Sequence, residues 1–395
     1  MKKLIPFILI IALVMSSCQQ VNHQIENKDT EMRGIWISCY DHISAAGKTA
    51  EEYETETDGM FRTVSENGFN TAFVHLRAFS DSFYKSDIFP YSSYIAGVQG
   101  ADLPFDPFEI ILKSAEKYGV DIHGWINPFR VATNPNPLLL DESNPAKKII
   151  AEGNTNGEIC ILENGIYYNP SCTSNHKLVI DGVREILSKY DICGIHIDDY
   201  FYPSTSETVD RIQFDTYRNS GGTLPLEEWR TVNVNAFVAT LYSAVKSYGN
   251  EIIFSISPSA DILKSRDELY ADCELWLSAE GYADLIIPQI YYGFDHDKFA
   301  FKALLNQWSS FKRSNAVSLA CGIAAYKCSE EDEYAGGGKN EWLERNDVLI
   351  RQAELIKNNP SFSGFVVFSY SDLIRDDASE EISKLNEFIY TEKKE

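Results

Sequence analysis

The sequence predicts a single α/β domain of the (β/α)8 class, a TIM barrel in which eight parallel strands alternate with helices. Eight short runs rich in Ile, Val, Phe and Tyr recur along the 395 residues, and helical patterns lie between most of them. An open doubly wound sheet is the alternative. The sequence argues against it, because no GxGxxG or phosphate-binding glycine loop follows any of the runs.

Each predicted element follows from composition and spacing. Apolar residues at helical spacing, several times followed by Gly, predict helices within 51–68, 106–119, 176–191, 227–249 and 340–359. The longest insertion, about 130–175, is rich in Asn, Pro and Gly and predicts a long loop over the barrel mouth after the third strand. The predicted strands are 32–38, 71–77, 121–128, 194–200, 251–259, 284–292, 317–326 and 364–370.

The N-terminus predicts export. "MKK" is positively charged, "LIPFILIIALVM" is too short to span a bilayer, and "SSC" ends at Cys18. We therefore expect residues 1–17 to be a lipoprotein signal peptide, with Cys18 lipidated, 18–30 as a polar tether and 31–395 as the barrel. This predicts lipid anchorage in the bacterial cell envelope. The alternative is an ordinary signal peptide with a chance cysteine, and Met15, where Leu is usual, departs from the lipoprotein pattern.

Charge and cysteine usage exclude several functions. The formal net charge of -23 argues against nucleic acid as a partner, because phosphate-backbone binding relies on Lys and Arg. The cysteines after Cys18 lack CxxC spacing, so no zinc or redox motif is present, and no cofactor is predicted. Cys160 and Cys172 flank one loop, and their pairing in an oxidising compartment stays open.

Strand parity selects candidate site residues. In the fourth strand, Ile195 and Ile197 share one face, which belongs against the helices, so His196 and Asp198 point into the lumen. Asp199 follows directly beyond the strand. We applied the same rule to the other strands and included the residues that directly follow them. It selects a polar and aromatic set at the carboxyl ends of the strands, where barrel enzymes place their sites. These residues are Trp36, His75, Arg77, Trp125, Asn127, Tyr200, Gln289, Tyr291 and Tyr370.

This set is typical of a glycosidase site. Aromatic faces cover sugar rings, amides and Arg donate hydrogen bonds to sugar oxygens, and a central carboxylate supplies the chemistry. Zinc catalysis and a Ser–His–Asp triad are disfavoured, because neither HExxH-type pairing nor a GxSxG turn is present. Taken singly, each residue also has a structural explanation as a core or hydrogen-bonded group.

Six motifs in order carry a family resemblance over residues 31–390. "MRGIWIS", "FVHLRAFSDSFYKSDIFPYS", "GWINPFR", "GIHIDDYFYP", "SISPS" and "PQIYYGF" resemble the glycosyl-hydrolase-like family 10 lipoproteins. The resemblance implies a TIM barrel and a glycoside hydrolase. That family contains a cell-envelope enzyme that cleaves peptidoglycan glycan strands lacking stem peptides, so we expect an amino-sugar polysaccharide substrate, preferably peptidoglycan. An exopolysaccharide or dietary glycan hydrolase, and a non-catalytic glycan-binding lipoprotein, are the alternatives.

The catalytic carboxylates are expected at the fourth strand. His196 and Asp198 match the two-residue spacing of a basic residue and an aspartate nucleophile in retaining barrel glycosidases, although His replaces the commoner Arg. We predict Asp198 as the main catalytic carboxylate, with Asp199 as its alternative or companion. The second carboxylate stays open among Asp81, Asp261 and Asp295, and so does the choice between retaining and inverting mechanisms.

Overall fold

The strands of the protein follow the predicted order. The structure is a computed structural model that describes residues 31–392, so the predicted signal peptide, Cys18 and the tether lie outside the described residues. In chain order the strands are β1 (Met32–Ile37), β2 (Thr71–Arg77), β3 (Asp121–Ile126), β4 (Arg130–Ala132), β5 (Ile159–Leu162), β6 (Gly165–Tyr168), β7 (Gly194–Ile197), β8 (Ile253–Ile256), β9 (Leu285–Ile286), β10 (Ser318–Leu319), β11 (Cys321–Ala324) and β12 (Gly364–Phe368).

Nine of these strands form one parallel sheet in the order β10-β9-β8-β7-β3-β2-β1-β12-β11. The predicted seventh strand is divided: β10 pairs with β9, whereas β11 pairs with β12. Across this division the Ala320 N–H donates to the Ile286 carbonyl at 3.0 Å, and the Gly322 N–H donates to the Pro288 carbonyl at 2.9 Å. These bonds join the two ends of the sheet, and the predicted TIM-barrel class is confirmed with eight strand positions.

Helices separate the strands, and the five predicted ones are present. The last predicted helix, 340–359, is divided into two helices, Glu341–Glu344 and Val348–Lys357, which are separated at 345–347. No helix within residues 31–392 has both the length and the apolar character needed to cross a membrane. In chain order the helices are α1 (Ala50–Glu66), α2 (Ser93–Ala96), α3 (Pro107–Lys117), α4 (Pro145–Ala151), α5 (Thr173–Lys189), α6 (Arg211–Asn219), α7 (Leu226–Lys246), α8 (Ile262–Asp267), α9 (Cys273–Ser278), α10 (Phe301–Ser310), α11 (Glu341–Glu344), α12 (Val348–Lys357), α13 (Tyr370–Leu373) and α14 (Ser379–Glu392).

The insertion after the third strand, predicted as a long loop over the barrel mouth, has secondary structure of its own. It contains helix α4 and a three-stranded antiparallel sheet in the order β4-β6-β5. Strands β5 and β6 form a hairpin around Glu163 and Asn164, and Gly165 follows at a φ of 147°. The missed signal is "ICILENGIYY", in which two β-rich runs flank a turn sequence.

Two apolar clusters lie on opposite faces of the barrel wall. The outer cluster contains Ile35, Ile37, Ile195 and Ile197, as parity predicts, and packs among helix residues. The inner cluster fills the lumen, and Tyr291 and Phe368 pack against it. Its buried members are Trp36, Phe73, Trp125, Leu285, Ile287, Ala320 and Val366.

Candidate active site

Asp198 lies at the carboxyl end of β7 and is 2% exposed. Its Oδ2 accepts hydrogen bonds from Trp125 Nε1 at 3.0 Å and Asn127 Nδ2 at 3.4 Å. Its Oδ1 accepts only the long bond from the Tyr200 N–H, at 3.4 Å, within the described residues. Strands β3 and β7 pair in parallel, with Trp125 opposite His196, and this register brings the three side chains together.

The two oxygens of Asp198 are chemically different. Burial, and then the neighbouring charge of Asp199, raise the pKa of Asp198 to about 7. Because Oδ2 already receives two N–H donors, a proton on this carboxyl group belongs on Oδ1. Asp198 can therefore hold a proton near neutral pH on a defined atom, which is what a general acid requires.

Asp199 is half-buried beside it. Burial raises its pKa, while Lys264 and a hydrogen bond from Gln289 oppose that rise. Gln289 is itself fixed, because its Nε2 donates to the Ser257 carbonyl at 2.7 Å. The structure thus brings Asp198, Asp199 and Gln289 together, as predicted, and the two carboxylates form a coupled pair.

His75 and Trp125 form a stacked pair next to Asp198. Their ring centroids are 3.4 Å apart with planes inclined by 10°. Because the Cys39 N–H donates to Nδ1 of His75 at 3.1 Å, the neutral ring carries its proton on Nε2. Burial keeps the pKa of His75 well below its usual value, and its buried Nε2 has no partner within residues 31–392. His75 offers a free donor at the site, whereas Trp125 positions Asp198 and has one face covered by His75.

Trp36 and His196 lie deeper in the lumen. The Trp36 Nε1–H donates to His196 Nε2 at 3.2 Å, and Ser255 and Ser257 hydrogen-bond the two ring nitrogens at 2.8 and 3.0 Å. Both side chains are fully buried, and burial keeps the pKa of His196 well below its usual value. Both residues, which the sequence predicts as substrate contacts, lie buried below Asp198 and are hydrogen-bonded within the protein.

Two predicted substrate contacts face away from the lumen. A bulge between His75 and Arg77 shifts the register of β2, and the Arg77 Nη1 donates to the Asn127 and Pro128 carbonyls at 2.6 and 3.2 Å. Arg77 is 1% exposed, and its guanidinium lies over Phe89. Tyr370 begins α13, beyond the end of β12, and hydrogen-bonds Thr63 of α1. Strand alternation fails at both positions because a bulge or a helix interrupts it.

Tyr291 and Tyr200 line the mouth in different ways. Tyr291 is half-buried, and its ring contacts Trp36, Phe368 and Tyr326 at centroid distances of 6.2, 5.8 and 6.0 Å. Tyr200 is 48% exposed, and its ring lies 4.5 Å from the Arg130 guanidinium. Of the predicted aromatic contacts, Tyr200 is the one that presents a large surface to solvent.

The three candidates for a second carboxylate have other surroundings. Asp261 caps α8 by accepting the N–H groups of Leu263 and Lys264, and Asp295 is an exposed loop residue. Asp81 is buried, accepts a bond from Gln99 at 3.1 Å, and has its pKa raised to about 6 by burial. The carboxylate electrostatically coupled to Asp198 is its neighbour Asp199.

Sequence reasoning missed several rim residues. Tyr40, Tyr94 and Tyr326 are 68%, 38% and 39% exposed, and Arg130 stands beside Tyr200. Arg130 lies inside the motif "GWINPFR", and Tyr40 closes the first-strand run, so a search one or two residues beyond each strand would have found them.

Two further sequence predictions concern metal ligands and the pairing of Cys160 with Cys172. Residues 31–392 contain no group of three or more His, Cys, Asp or Glu side chains able to hold a metal ion. Cys160 and Cys172 are both free thiols, the first donating to the Val209 carbonyl and the second to the Gly157 carbonyl.

Comparison with known proteins gives one consistent answer. The family model described as glycosyl hydrolase-like 10 matches residues 31–335. Glycosyl hydrolase YngK of Bacillus subtilis (strain 168) is 31% identical over 361 residues, covering 85% of this chain and 68% of the relative. Glycosyl hydrolase DigH of Escherichia coli (strain K12) is 26% identical over 392 residues, covering 90% and 86%.

Solved structures agree on the fold. The glycoside hydrolase domain of PgaB (BpsB) from Bordetella bronchiseptica superposes with a TM-score of 0.59 at 12% identity, covering 90% of this chain and 97% of that domain. The catalytic domain of a β-amylase from Paenibacillus polymyxa has a TM-score of 0.55 at 9% identity, covering 91% and 98%.

Proposed function

Because this chain belongs to the glycosyl hydrolase-like 10 family and is a glycoside hydrolase, we propose that it cleaves an amino-sugar polysaccharide, preferably peptidoglycan glycan strands, with Asp198 as the proton donor. The observation that carries the proposal is the buried Asp198 carboxyl group. Its Oδ2 receives two N–H donors, and burial beside Asp199 raises its pKa to about 7.

In this mechanism the proton on Oδ1 of Asp198 passes to the leaving glycosidic oxygen as the bond to the anomeric carbon breaks. Positive charge then develops on the sugar ring. Trp125 and Asn127 hold Oδ2, so the donor oxygen keeps one orientation throughout. General acid catalysis of this kind contributes about 10²–10⁴-fold in rate.

Asp199 is the ionised partner of the pair. Burial raises its pKa, and Lys264 and the hydrogen bond from Gln289 oppose that rise. We assign the proton of the coupled pair to Asp198, whose pKa burial raises to about 7. The Asp199 carboxylate is then available to stabilise the positive charge, to attack the anomeric carbon, or to activate water. This assignment differs from the expectation that Asp198 is the nucleophile, because a carboxyl group with a pKa near 7 is a better donor than a nucleophile.

The substrate class is supported by the donors at the mouth. The Nε2–H of His75 is buried without a partner in the described residues and suits a hydroxyl or N-acetyl oxygen. The exposed faces of Tyr40, Tyr94 and Tyr200 suit sugar rings.

Reducing-end release tests this function. Purified glycan strands without stem peptides should be shortened by the protein, while plant polysaccharides and exopolysaccharides are cleaved at least tenfold more slowly. Asp198→Asn is the matched control, and it should abolish release while leaving glycan binding measurable. Equal rates on an exopolysaccharide would reassign the substrate. Binding without release by the wild-type protein would make it a glycan-binding lipoprotein.

Lipid anchorage is part of the same proposal. The short apolar run ending at "SSC" supports acylation of Cys18, and several acyl chains together anchor a protein stably. Cys18→Ser should move the protein from the membrane fraction to the soluble fraction. Unchanged partition, with no lipid label on the wild-type protein, would reject this part of the proposal.

A further inference from the structure

Arg130 is a cation that lies beside the carboxylates of Asp198 and Asp199 and forms an ion pair with neither of them. It is half-buried, and its side chain makes no hydrogen bond or ion pair within residues 31–392. The guanidinium instead contacts the faces of two aromatic rings. Its carbon lies 4.5 Å from the Tyr200 ring centroid and 5.2 Å from the Phe79 ring centroid. The guanidinium is therefore available to a ligand, although it acts electrostatically on the two carboxylates nearby.

The position of Arg130 is fixed relative to the reaction centre. Its backbone N–H donates to Asn127 Oδ1 at 3.0 Å, and the Nδ2 of the same Asn127 donates to Asp198. Arg130 also lies close enough to Asp198 and Asp199 to lower the pKa of both. A sugar whose glycosidic oxygen reaches Asp198 therefore brings its ring substituents within reach of the guanidinium.

Aromatic rings extend from Arg130 along one side of the mouth; Tyr40, Tyr94 and Tyr200 are exposed, whereas Phe79 is buried. Phe79 stacks against Tyr94 at 6.3 Å, and Tyr94 meets Tyr40 edge to face at 5.4 Å. We call Tyr40, Phe79, Tyr94 and Tyr200 the aromatic shelf. Its members and Arg130 follow the carboxyl ends of β1, β2, β3 and β7, which are neighbours in the barrel, so they form one continuous surface.

We propose that Arg130 and the aromatic shelf form a subsite for a sugar that carries a carboxylate. The planar guanidinium presents paired N–H donors that match a carboxylate, and the rings on both sides hold it in the required orientation. The shared chemistry is an acidic sugar, either a lactyl ether acid or a uronic acid. This inference rests on the proposed function, since it places the substrate in the same barrel mouth. It extends that function by naming the substrate group that the subsite recognises, a carboxylate.

The test compares a free carboxylate with its neutral amide. Glycan strands without stem peptides are divided, and the lactyl carboxylates of one half are converted to methylamides. Binding to the inactive Asp198→Asn protein is measured by calorimetry for both halves. Free strands should bind about tenfold to a hundredfold more tightly, the range for hydrogen bonds to charged groups. Oligosaccharides of a uronic acid provide the second source of the carboxylate. Oligosaccharides of N-acetylglucosamine, which are neutral, are their matched control.

Variants assign the preference to Arg130. Arg130→Gln in the same background should bring the affinity ratio between free and amidated strands close to one, and Arg130→Lys should keep part of it. Lys264→Gln is the matched control, because it removes another cation that acts on Asp199 and should leave the ratio intact. Circular dichroism and melting curves verify that each variant is folded.

The outcomes separate this inference from the proposed function. Equal affinity for free and amidated ligands, or a ratio that survives Arg130→Gln, overturns the subsite. The subsite is also overturned if Arg130→Gln lowers the rate equally on free and amidated strands and moves the basic pH limit upward. Arg130 would then act only through the pKa of Asp198. Arg130-dependent selectivity for uronic acids alone upholds the subsite and overturns peptidoglycan as substrate. Absence of binding to any acidic glycan overturns both.

Discussion

Two layers of the barrel lumen use the same residue types for different purposes. The lower layer consists of Trp36, Phe73, His123 and His196, and Phe73 contacts the two imidazole rings at centroid distances of 4.8 and 4.7 Å. Both nitrogens of His196 are hydrogen-bonded, whereas Nδ1 of His123 has no partner within residues 31–392. The upper layer, His75, Trp125, Asn127 and Asp198, lies one lumen position farther along the strands. It keeps an unpartnered donor on His75 and a carboxyl group of raised pKa.

The difference shows that the chemistry of a lumen residue depends on its height in the barrel. His196 in the lower layer finds protein partners for both nitrogens, and His123 beside it packs against Phe73. His75 in the upper layer has a partner for Nδ1, and its Nε2 has none within residues 31–392. What distinguishes the upper layer is therefore the carboxyl group of Asp198, which lies above a layer in which the polar groups of Trp36 and His196 are satisfied.

The largest effect should come from Asp198→Asn. The amide oxygen still accepts the bonds from Trp125 and Asn127, but the proton donor is lost, so kcat should fall by about 10³-fold or more. Rates on glycan strands measure this, with binding as the control. Wild-type turnover in a folded variant would remove Asp198 from the chemistry.

The same variant should be more stable at alkaline pH. The folded-state pKa of Asp198, about 7, lies above its unfolded value, so the folded protein binds the extra proton between about pH 4 and 7 and loses stability as pH rises through that window. Asp198→Asn removes this loss, and its Tm at pH 8 should exceed the wild-type Tm by about 1–3 °C. A lower Tm at pH 8 would contradict the assigned pKa.

The pH profile of the wild-type protein should show the next largest effect. If Asp198 acts as the protonated donor, kcat/KM falls about tenfold per pH unit above about 7, since the basic limb reports this group in the free enzyme. Initial rates between pH 5 and 10 check the limb. Activity that instead rises through pH 7 would indicate that Asp198 works in its ionised form, as a nucleophile.

Much of this comparison could be predicted from the sequence. Alternation placed Asp198, Trp125, Asn127 and Gln289 in the lumen, and the apolar clusters confirm the two faces. Alternation identifies the face of a strand but not the level of a residue along the barrel axis, however. His196 and Trp36 were therefore grouped with residues of the upper layer. It also fails where a bulge or helix start intervenes, as at Arg77 and Tyr370. Arg130 was missed because it begins β4 beyond the end of β3, where alternation along β3 no longer applies.

Trp125→Phe should have a moderate effect on the upper layer. The ring keeps its stack on His75, but Asp198 loses the N–H bond at 3.0 Å that favours its charged form. The basic limb should therefore move to higher pH, and kcat should fall by about tenfold as the carboxyl orientation loosens. Tyr291→Phe is the matched control, because Tyr291 makes ring contacts in the lumen and no hydrogen bond to Asp198. An unchanged limb would show that Trp125 does not tune Asp198.

The smallest effect on activity should come from the lower layer. His196→Gln keeps a polar side chain but cannot satisfy Trp36, Ser255 and Ser257 together, so the free energy of unfolding should fall by about 1–3 kcal/mol. Because His196 is buried below Asp198, kcat of the folded variant should change by less than about threefold, which is what a supporting role requires. Denaturant titration and steady-state rates on the same preparation measure both quantities. Ser255→Ala, which removes one hydrogen-bonding partner of His196, should lower stability by a smaller amount and leave the rate alone. The opposite pattern, a wild-type melting curve with a hundredfold loss in kcat, would mean that the lower layer takes part in the chemistry and that height does not separate support from catalysis.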